Sequence, residues 1–281
     1  MPKVALDEVD LHFETCGNGT PLLLLPGALG SGEHDFVHQL EWFGRHFQVV
    51  APDPRGYGRS RPPERDYPLS FYQRDCDDML ALMAKLGHQS FGVMGWSDGA
   101  NIAVRMALQQ PFCVRALVLW GGNSFLTREE VVTFQAIRNV ATWSPRAVES
   151  MRGIYGDSLD GLWERYVTAL EEIFRTGGKL YRSRLHLVHC PTLILHGERD
   201  PLVPLLHPQT LHEGISGSEL HIFPDGKHNI HIRYHEVFNR LVLAFLTNRA
   251  QLSSSFTPPD KSASEELRAA GQRARNKVPN G

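Results

Sequence analysis

Phe91-Gly92-Val93-Met94-Gly95-Trp96-Ser97-Asp98-Gly99-Ala100 is the stretch to read first. Phe91 to Met94 is a short apolar run, the signature of a strand buried on both faces, and Gly95 ends it. A helix is expected from Ala100 to Leu108, opened by Ser97 and Asp98, both good cap types. Between strand and helix lies G-x-S-x-G. A serine lifted clear of such a turn needs a backbone so tight that side chains two residues away would collide, and Gly95 and Gly99 remove that collision. The turn aims the hydroxyl above the sheet, at the positive N-terminus of the next helix. An ordinary strand–helix turn capped by serine shares part of the pattern, but the strand before and the helix after favour a nucleophile at Ser97.

The flanking sequence supplies the rest of a sheet. Val9 to Glu14 alternates apolar and polar residues, as a half-buried and antiparallel strand would. Leu22 to Leu25, Phe47 to Ala51, Ala116 to Trp120, Thr192 to His196 and Leu220 to Phe223 are apolar runs that each end at glycine or proline. Helical stripes lie at Tyr72 to Leu86 and His231 to Leu246. Strands alternating with helices predict an α/β fold: a mostly parallel sheet with helices on both faces. One block breaks the alternation. Asn123 to Leu187 holds helix-like stretches, Glu129 to Val140 and Leu162 to Phe174, and no convincing strand. The expected organisation is a core at 1–122 and 188–249, an inserted helical cap at 123–187, and a disordered Ser/Pro-rich tail at 250–281 with at most a weak helix over 265–275.

Composition narrows the function classes. The 281 residues are 42% hydrophobic, enough for a full core. Lys+Arg 29 against Asp+Glu 31 leaves a net charge of -2, no electrostatic reason to expect nucleic acid or an anionic membrane as partner. The longest apolar runs are too short to span a bilayer. Cys16, Cys76, Cys113 and Cys190 are widely spaced, with no metal-like cluster, and read as free thiols. The first residues show no targeting segment, so a monomer in the cytoplasm is expected, although a processed mitochondrial protein would read the same way.

A serine nucleophile needs a base held in one tautomer and an acid to hold it. In this strand order the acid comes next and the histidine last. Asp200, in the loop after Thr192 to His196, is the expected acid, ahead of Glu198 and Asp225. His228, in the loop after Leu220 to Phe223, is the expected base. Its rivals are His231, already in a helix, and His196, at a strand end beneath the site. The oxyanion needs two backbone donors: Ala28 N–H in the Pro26-Gly27-Ala28-Leu29-Gly30 turn, and the N–H of Asp98. Serine and imidazole chemistry needs no metal and no organic cofactor.

These segments, with Asp53-Pro54-Arg55-Gly56-Tyr57-Gly58-Arg59-Ser60 and Gly226-Lys227-His228-Asn229, resemble the α/β-hydrolase superfamily over about residues 3–248. More narrowly they resemble its valacyclovir hydrolase, or biphenyl hydrolase-like, family, with Trp-Ser-Asp-Gly the more specific element. That resemblance implies hydrolysis of α-amino acid esters, nucleoside-analogue prodrugs among them, and of amino acid thiolactones further afield. It implies that Asp98 holds the substrate's α-ammonium; Trp96 is the other residue assigned to substrate binding. Charge agrees: a carboxylate beside the nucleophile opposes the developing oxyanion and needs a compensating cation. A helix-capping Asp98 is the plainer alternative. Animal members commonly carry a mitochondrial presequence, and this chain shows none. The rival activities are carbon–carbon bond hydrolysis of ring-cleavage products, whose anionic dienoates Asp98 would repel, and a non-enzymatic hydrolase-fold binding protein. Haloalkane dehalogenases and epoxide hydrolases need an aspartate where Ser97 stands.

Overall fold

Eight strands, β1 (Lys3–Ala5), β2 (Asp10–Cys16), β3 (Pro21–Leu25), β4 (Gln48–Pro52), β5 (Phe91–Trp96), β6 (Val114–Trp120), β7 (Thr192–Gly197) and β8 (Glu219–Phe223), form one sheet in the order β1-β2-β4-β3-β5-β6-β7-β8. The computed structural model describes residues 2–252 of the chain. β1–β2 and β2–β4 pair antiparallel and every other pair is parallel. The expected α/β architecture is the observed one. β1, three residues with no alternation to announce it, is the strand the sequence did not reveal.

The uniformly apolar runs hide a period of two. Leu23 and Leu25 of β3, Val93 of β5, Leu117 and Leu119 of β6 and Ile194 of β7 enter one core. Leu22, Leu24, Met94, Ala116, Val118, Leu193 and Leu195 enter the other. Each face needs its own apolar residues because helices cover both. The helices Phe71–Lys85 and Asp98–Gln109 supply Met79, Met83, Ile102 and Met106 to the first core. Helix His235–Ala244 supplies Phe238 and Val242 to the second. Burying one such leucine or isoleucine stabilises the fold by roughly 1.5–3 kcal/mol before entropy is counted.

The strand order positions the site. After β3 the chain crosses to β4 on one side; after β4 it returns to β5 on the other side of β3. The loops leaving the carboxyl ends of β3 and β5 therefore diverge and leave a crevice, the usual ligand position in such sheets. Gly95 and Leu25 are in register, as are Trp96 and Trp120, so the turns after β3, β5 and β6 meet at one edge.

Between β6 and β7 lie the helices Arg128–Ala136, Pro145–Tyr155 and Leu159–Arg175. The first opens with a reciprocal capping box, Thr127 with Glu130. The Glu130 carboxylate is buried and also takes Asn123 Nδ2–H at 2.7 Å and sits 2.9 Å from His207 Nε2. Asn123 in turn exchanges two hydrogen bonds with Asn101 of the helix after Ser97. Phe134, Trp163, Tyr166 and Leu170 of the inserted helices belong to the same core as Leu23 and Ile102. At the other end, Ala250 and Leu252 are buried with Leu22 and Met94. The packed chain thus runs through Leu252; residues 253–281, with the rest of the expected tail and the helix expected over 265–275, lie outside the described residues. All four cysteines are free thiols, and among the described residues no helix is long and apolar enough to cross a membrane.

Candidate active site

Ser97 has φ 55° and ψ -120°, a left-handed backbone that costs a non-glycine residue about 1–3 kcal/mol. The flanking glycines make it possible. A Cβ on Gly95 would lie 2.4 Å from the Gly99 carbonyl oxygen, and one on Gly99 would lie 2.1 Å from the Leu25 carbonyl oxygen. The Ser97 hydroxyl does not cap the helix it heads. It lines a cavity of about 580 Å³ that it shares with Ala28, Trp96, Leu202 and His228 from the sheet edge, and with Trp143 and Trp163 from the inserted helices.

His228 Nδ1 lies 2.7 Å from Asp200 Oδ2. The other Asp200 oxygen accepts the N–H groups of Leu202 (2.8 Å) and Val203 (3.1 Å). Burial alone would raise the Asp200 pKa, but His228, His196 and the loop N–H groups outweigh it, and the carboxyl sits below its ordinary value. An ionised Asp200 can only accept. The His228 proton therefore sits on Nδ1, which leaves Nε2 as the basic nitrogen. The rivals make other contacts. Asp225 is exposed in an ion pair with Arg199 at 2.9 Å, and Glu198 is exposed. His231 is buried: Trp120 Nε1–H donates to its Nδ1 at 3.0 Å, and its Nε2 donates to the Asp35 carbonyl at 3.1 Å. Burial lowers its pKa to about 3, so it is a neutral core histidine. His196 Nε2 bonds the Val203 carbonyl at 3.0 Å, and burial lowers its pKa as well.

Two neighbours hold the His228 loop. Trp96 Nε1–H donates to the His228 carbonyl at 3.0 Å, so the indole fixes the loop as well as lining the cavity. Gly121, at φ 63°, sits under the ring: a Cβ there would lie 2.9 Å from His228 Cε1. Its sequence signal, the Gly121-Gly122 pair, read only as the end of β6. Gly121→Ala is expected to push the imidazole aside and lower kcat by about 10²-fold, since displacements near 1 Å have that effect. Unchanged turnover of a nitrophenyl ester by this variant would show that the ring has room to move.

The turn after β3 closes through Gly30 N–H to the Gly27 carbonyl at 3.0 Å, with Leu29 at φ 61° in its third position. That pattern belongs to a type II turn, where the third residue is normally glycine. Gly27 N–H is held by Asp35 Oδ2 at 3.0 Å. The N–H groups of Gly27 and Gly30 are thus engaged, and Ala28 and Leu29 line the cavity beside Ser97. Asp35 is buried, and burial raises its pKa to about 8; the Gly27 bond opposes this and nearby Asp53 adds to it. An unfolded aspartate titrates near 3.9, so the folded protein holds an extra proton, and this group's contribution falls as pH rises from about 4 to about 8. Asp35→Asn keeps an acceptor for Gly27 N–H and deletes the titration. Denaturation across that window is expected to shift steadily in favour of the variant and to level off at higher pH. A stability difference independent of pH would show that Asp35 does not titrate there.

Asp98 lies on the first turn after Ser97, 7% exposed. Tyr72 and Tyr166 hydroxyls both donate to its Oδ1, at 2.6 and 3.0 Å, and neither donates to Oδ2. Burial raises the Asp98 pKa to about 6, although both tyrosines and Arg65 oppose the rise. A buried carboxylate with two neutral donors and, among the described residues, no cation in contact can accept a positive group. Arg65, the nearest buried guanidinium, is held bidentate by Asp75. Sequence reasoning missed Tyr72 and Tyr166, which lie on apolar helical faces and reveal their role only when two distant helices meet over Asp98.

Comparison with known proteins adds an independent line. A family model described as alpha/beta hydrolase fold matches residues 20–150. A mouse protein described as serine hydrolase BPHL is 44% identical over 248 residues, covering 87% of this chain and 85% of the relative. Its human counterpart is 42% identical over the same shares. Among solved structures, the meta-cleavage product hydrolase CumD of Pseudomonas fluorescens superposes with a TM-score of 0.73 at 21% identity, covering 88% of this chain and 97% of that one. That last likeness concerns the fold alone.

Proposed function

This chain belongs to the α/β-hydrolase family and is a serine hydrolase, and from that premise we propose that Ser97, Asp200 and His228 cleave small carboxylic esters of α-amino acids. Ser97 Oγ attacks the ester carbonyl while His228 Nε2 takes its proton, and Asp200 orients and stabilises the imidazolium. Ala28 and Asp98 N–H groups take the oxyanion. His228 then protonates the departing alcohol, the acyl group stays on Ser97, and water repeats the cycle to release the acid. The Ser97–His228 contact closes in the reacting complex. The observation that carries this reading is the 2.7 Å His228–Asp200 bond beside the strained Ser97 in one cavity.

Asp98 Oδ2 meets the substrate's ammonium in this reading, a role supported by burial, by tyrosine donors confined to Oδ1 and by the absence of a contacting cation among the described residues. The helices at 123–187 act as a cap that shapes the leaving-group side, with Trp143 and Trp163 as apolar wall. The same reading takes the protein as a cytoplasmic monomer; a net charge of -2 gives nucleic acid no electrostatic hold. Steady release of nitrophenol from a nitrophenyl ester, with an acyl adduct on Ser97 by mass spectrometry, tests it. A single stoichiometric burst would point to a binding protein instead.

A further inference from the structure

Resting on the reading of Ala28 and Asp98 as oxyanion donors, we propose that the Tyr155 hydroxyl is a positioning group for the oxyanion hole, tying its geometry to the seating of the inserted helices. Tyr155 is the last residue of helix Pro145–Tyr155 and is buried. Its hydroxyl donates to the Leu29 carbonyl at 2.7 Å and accepts the Gly58 N–H at 3.2 Å. One oxygen thus joins three segments: the insertion, the turn after β3 and the loop after β4. Arg61 braces the ring from outside, with its guanidinium 4.8 Å from the ring centroid and donating to the carbonyls of Ile154 and Gly58.

The reason for such a brace is the residue it holds. Leu29 occupies a turn position that suits glycine, and a strained backbone of this kind persists only where its surroundings over-determine it. The relaxed alternative is a type I turn, reached by flipping the Ala28–Leu29 peptide next to the Ala28 N–H. Two contacts oppose that flip. Asp35 holds Gly27 N–H from the sheet side, and Tyr155 holds the Leu29 carbonyl from the insertion side. Tyr155 does not line the substrate cavity, so it acts through the turn and not on the substrate.

Tyr155→Phe keeps the ring and deletes both hydrogen bonds. We expect kcat to fall about tenfold with KM changed less than about threefold, the split of an interaction felt in the transition state. Phenylboronic acid adds to a serine hydroxyl as a tetrahedral anion seated in the oxyanion hole, and its affinity should fall by the same factor. In a Leu29→Gly background the loss should shrink to less than about threefold, because glycine takes the third turn position unaided. Should Tyr155→Phe not fold, Arg61→Met, which loosens the ring without deleting the hydroxyl, is expected to show the same split at smaller amplitude. The proposal is overturned by kcat within about twofold of wild type, by a kcat loss without loss of boronate affinity, by an undiminished loss beside Leu29→Gly, or by an Arg61→Met enzyme without the split. A wild-type protein that fails to bind the boronate overturns the Ser97 reading first, and this proposal with it.

Discussion

Ser97→Ala is expected to lower kcat by roughly 10⁴- to 10⁶-fold while leaving the fold intact, the scale on which loss of a serine nucleophile acts in triad enzymes. The size follows from the division of labour in the site. His228 and Asp200 have no other free nucleophile to activate: of the other hydroxyls lining the cavity, Ser144 Oγ accepts the Ala147 N–H, Ser150 Oγ lies 2.9 Å from His34 Nε2 and the Tyr166 hydroxyl donates to Asp98. What remains after the substitution is binding and two N–H donors, which act on water without a base-activated alcohol. The fold should survive because alanine removes one oxygen that does not cap its helix, and the left-handed backbone at this position is held by the packing of its neighbours. Loss of the acyl adduct together with turnover, at an unchanged unfolding midpoint, is the expected result. Full esterase activity in this variant would remove the mechanism.

The second large effect is selective. Asp98→Asn preserves an oxygen for the Tyr72 and Tyr166 hydroxyls but removes the charge. Breaking a buried charge pair typically costs about 3–5 kcal/mol, so kcat/KM for esters with a free α-amino group should fall by roughly 10²- to 10⁴-fold. N-acetylated esters of the same acids should change little. The pH dependence has a definite sign. The Asp98 pKa is raised to about 6, so the carboxylate is ionised above that value and neutralised below it. For amino esters KM should rise as pH falls through about 6, and for N-acetylated esters that limb should be absent. Equal losses on both substrate classes would assign Asp98 to the helix cap. They would also reopen carbon–carbon hydrolysis of anionic dienoates, which a carboxylate at this position opposes.

Much of the fold was legible because the information was local. The strand before Ser97, the glycines around it and the helix after it lie within twenty residues, and each strand run carried its own stop signal at glycine or proline. Asp200 and His228 could be placed because loops at the carboxyl ends of parallel strands share one edge. What the sequence withheld was convergence between remote segments. Tyr72 and Tyr166 meet over Asp98, Asp35 bonds Gly27, Tyr155 reaches Leu29, and Gly121 lies under His228. In sequence each of these is a helix-face residue, a loop residue or a strand stop. The withheld details are second partners: they support groups whose own identities the motifs had already suggested.

The Glu130 junction bears on how such enzymes can be re-engineered. One carboxylate starts the first inserted helix, grips Asn123 and meets His207 from beyond the acid loop, while Asn123 grips Asn101 behind the nucleophile. An insertion transplanted from another hydrolase would bring half of that lock and leave Asn101 and His207, on the recipient's helices Asp98–Gln109 and Leu206–Gly214, without their counterparts. Chimaeras that exchange all the inserted helices should therefore express poorly unless Asn101 and His207 are redesigned alongside. Point replacements at Trp143 or Met151, which line the cavity beside Ser97 and take no part in the lock, are the safer handles on substrate range.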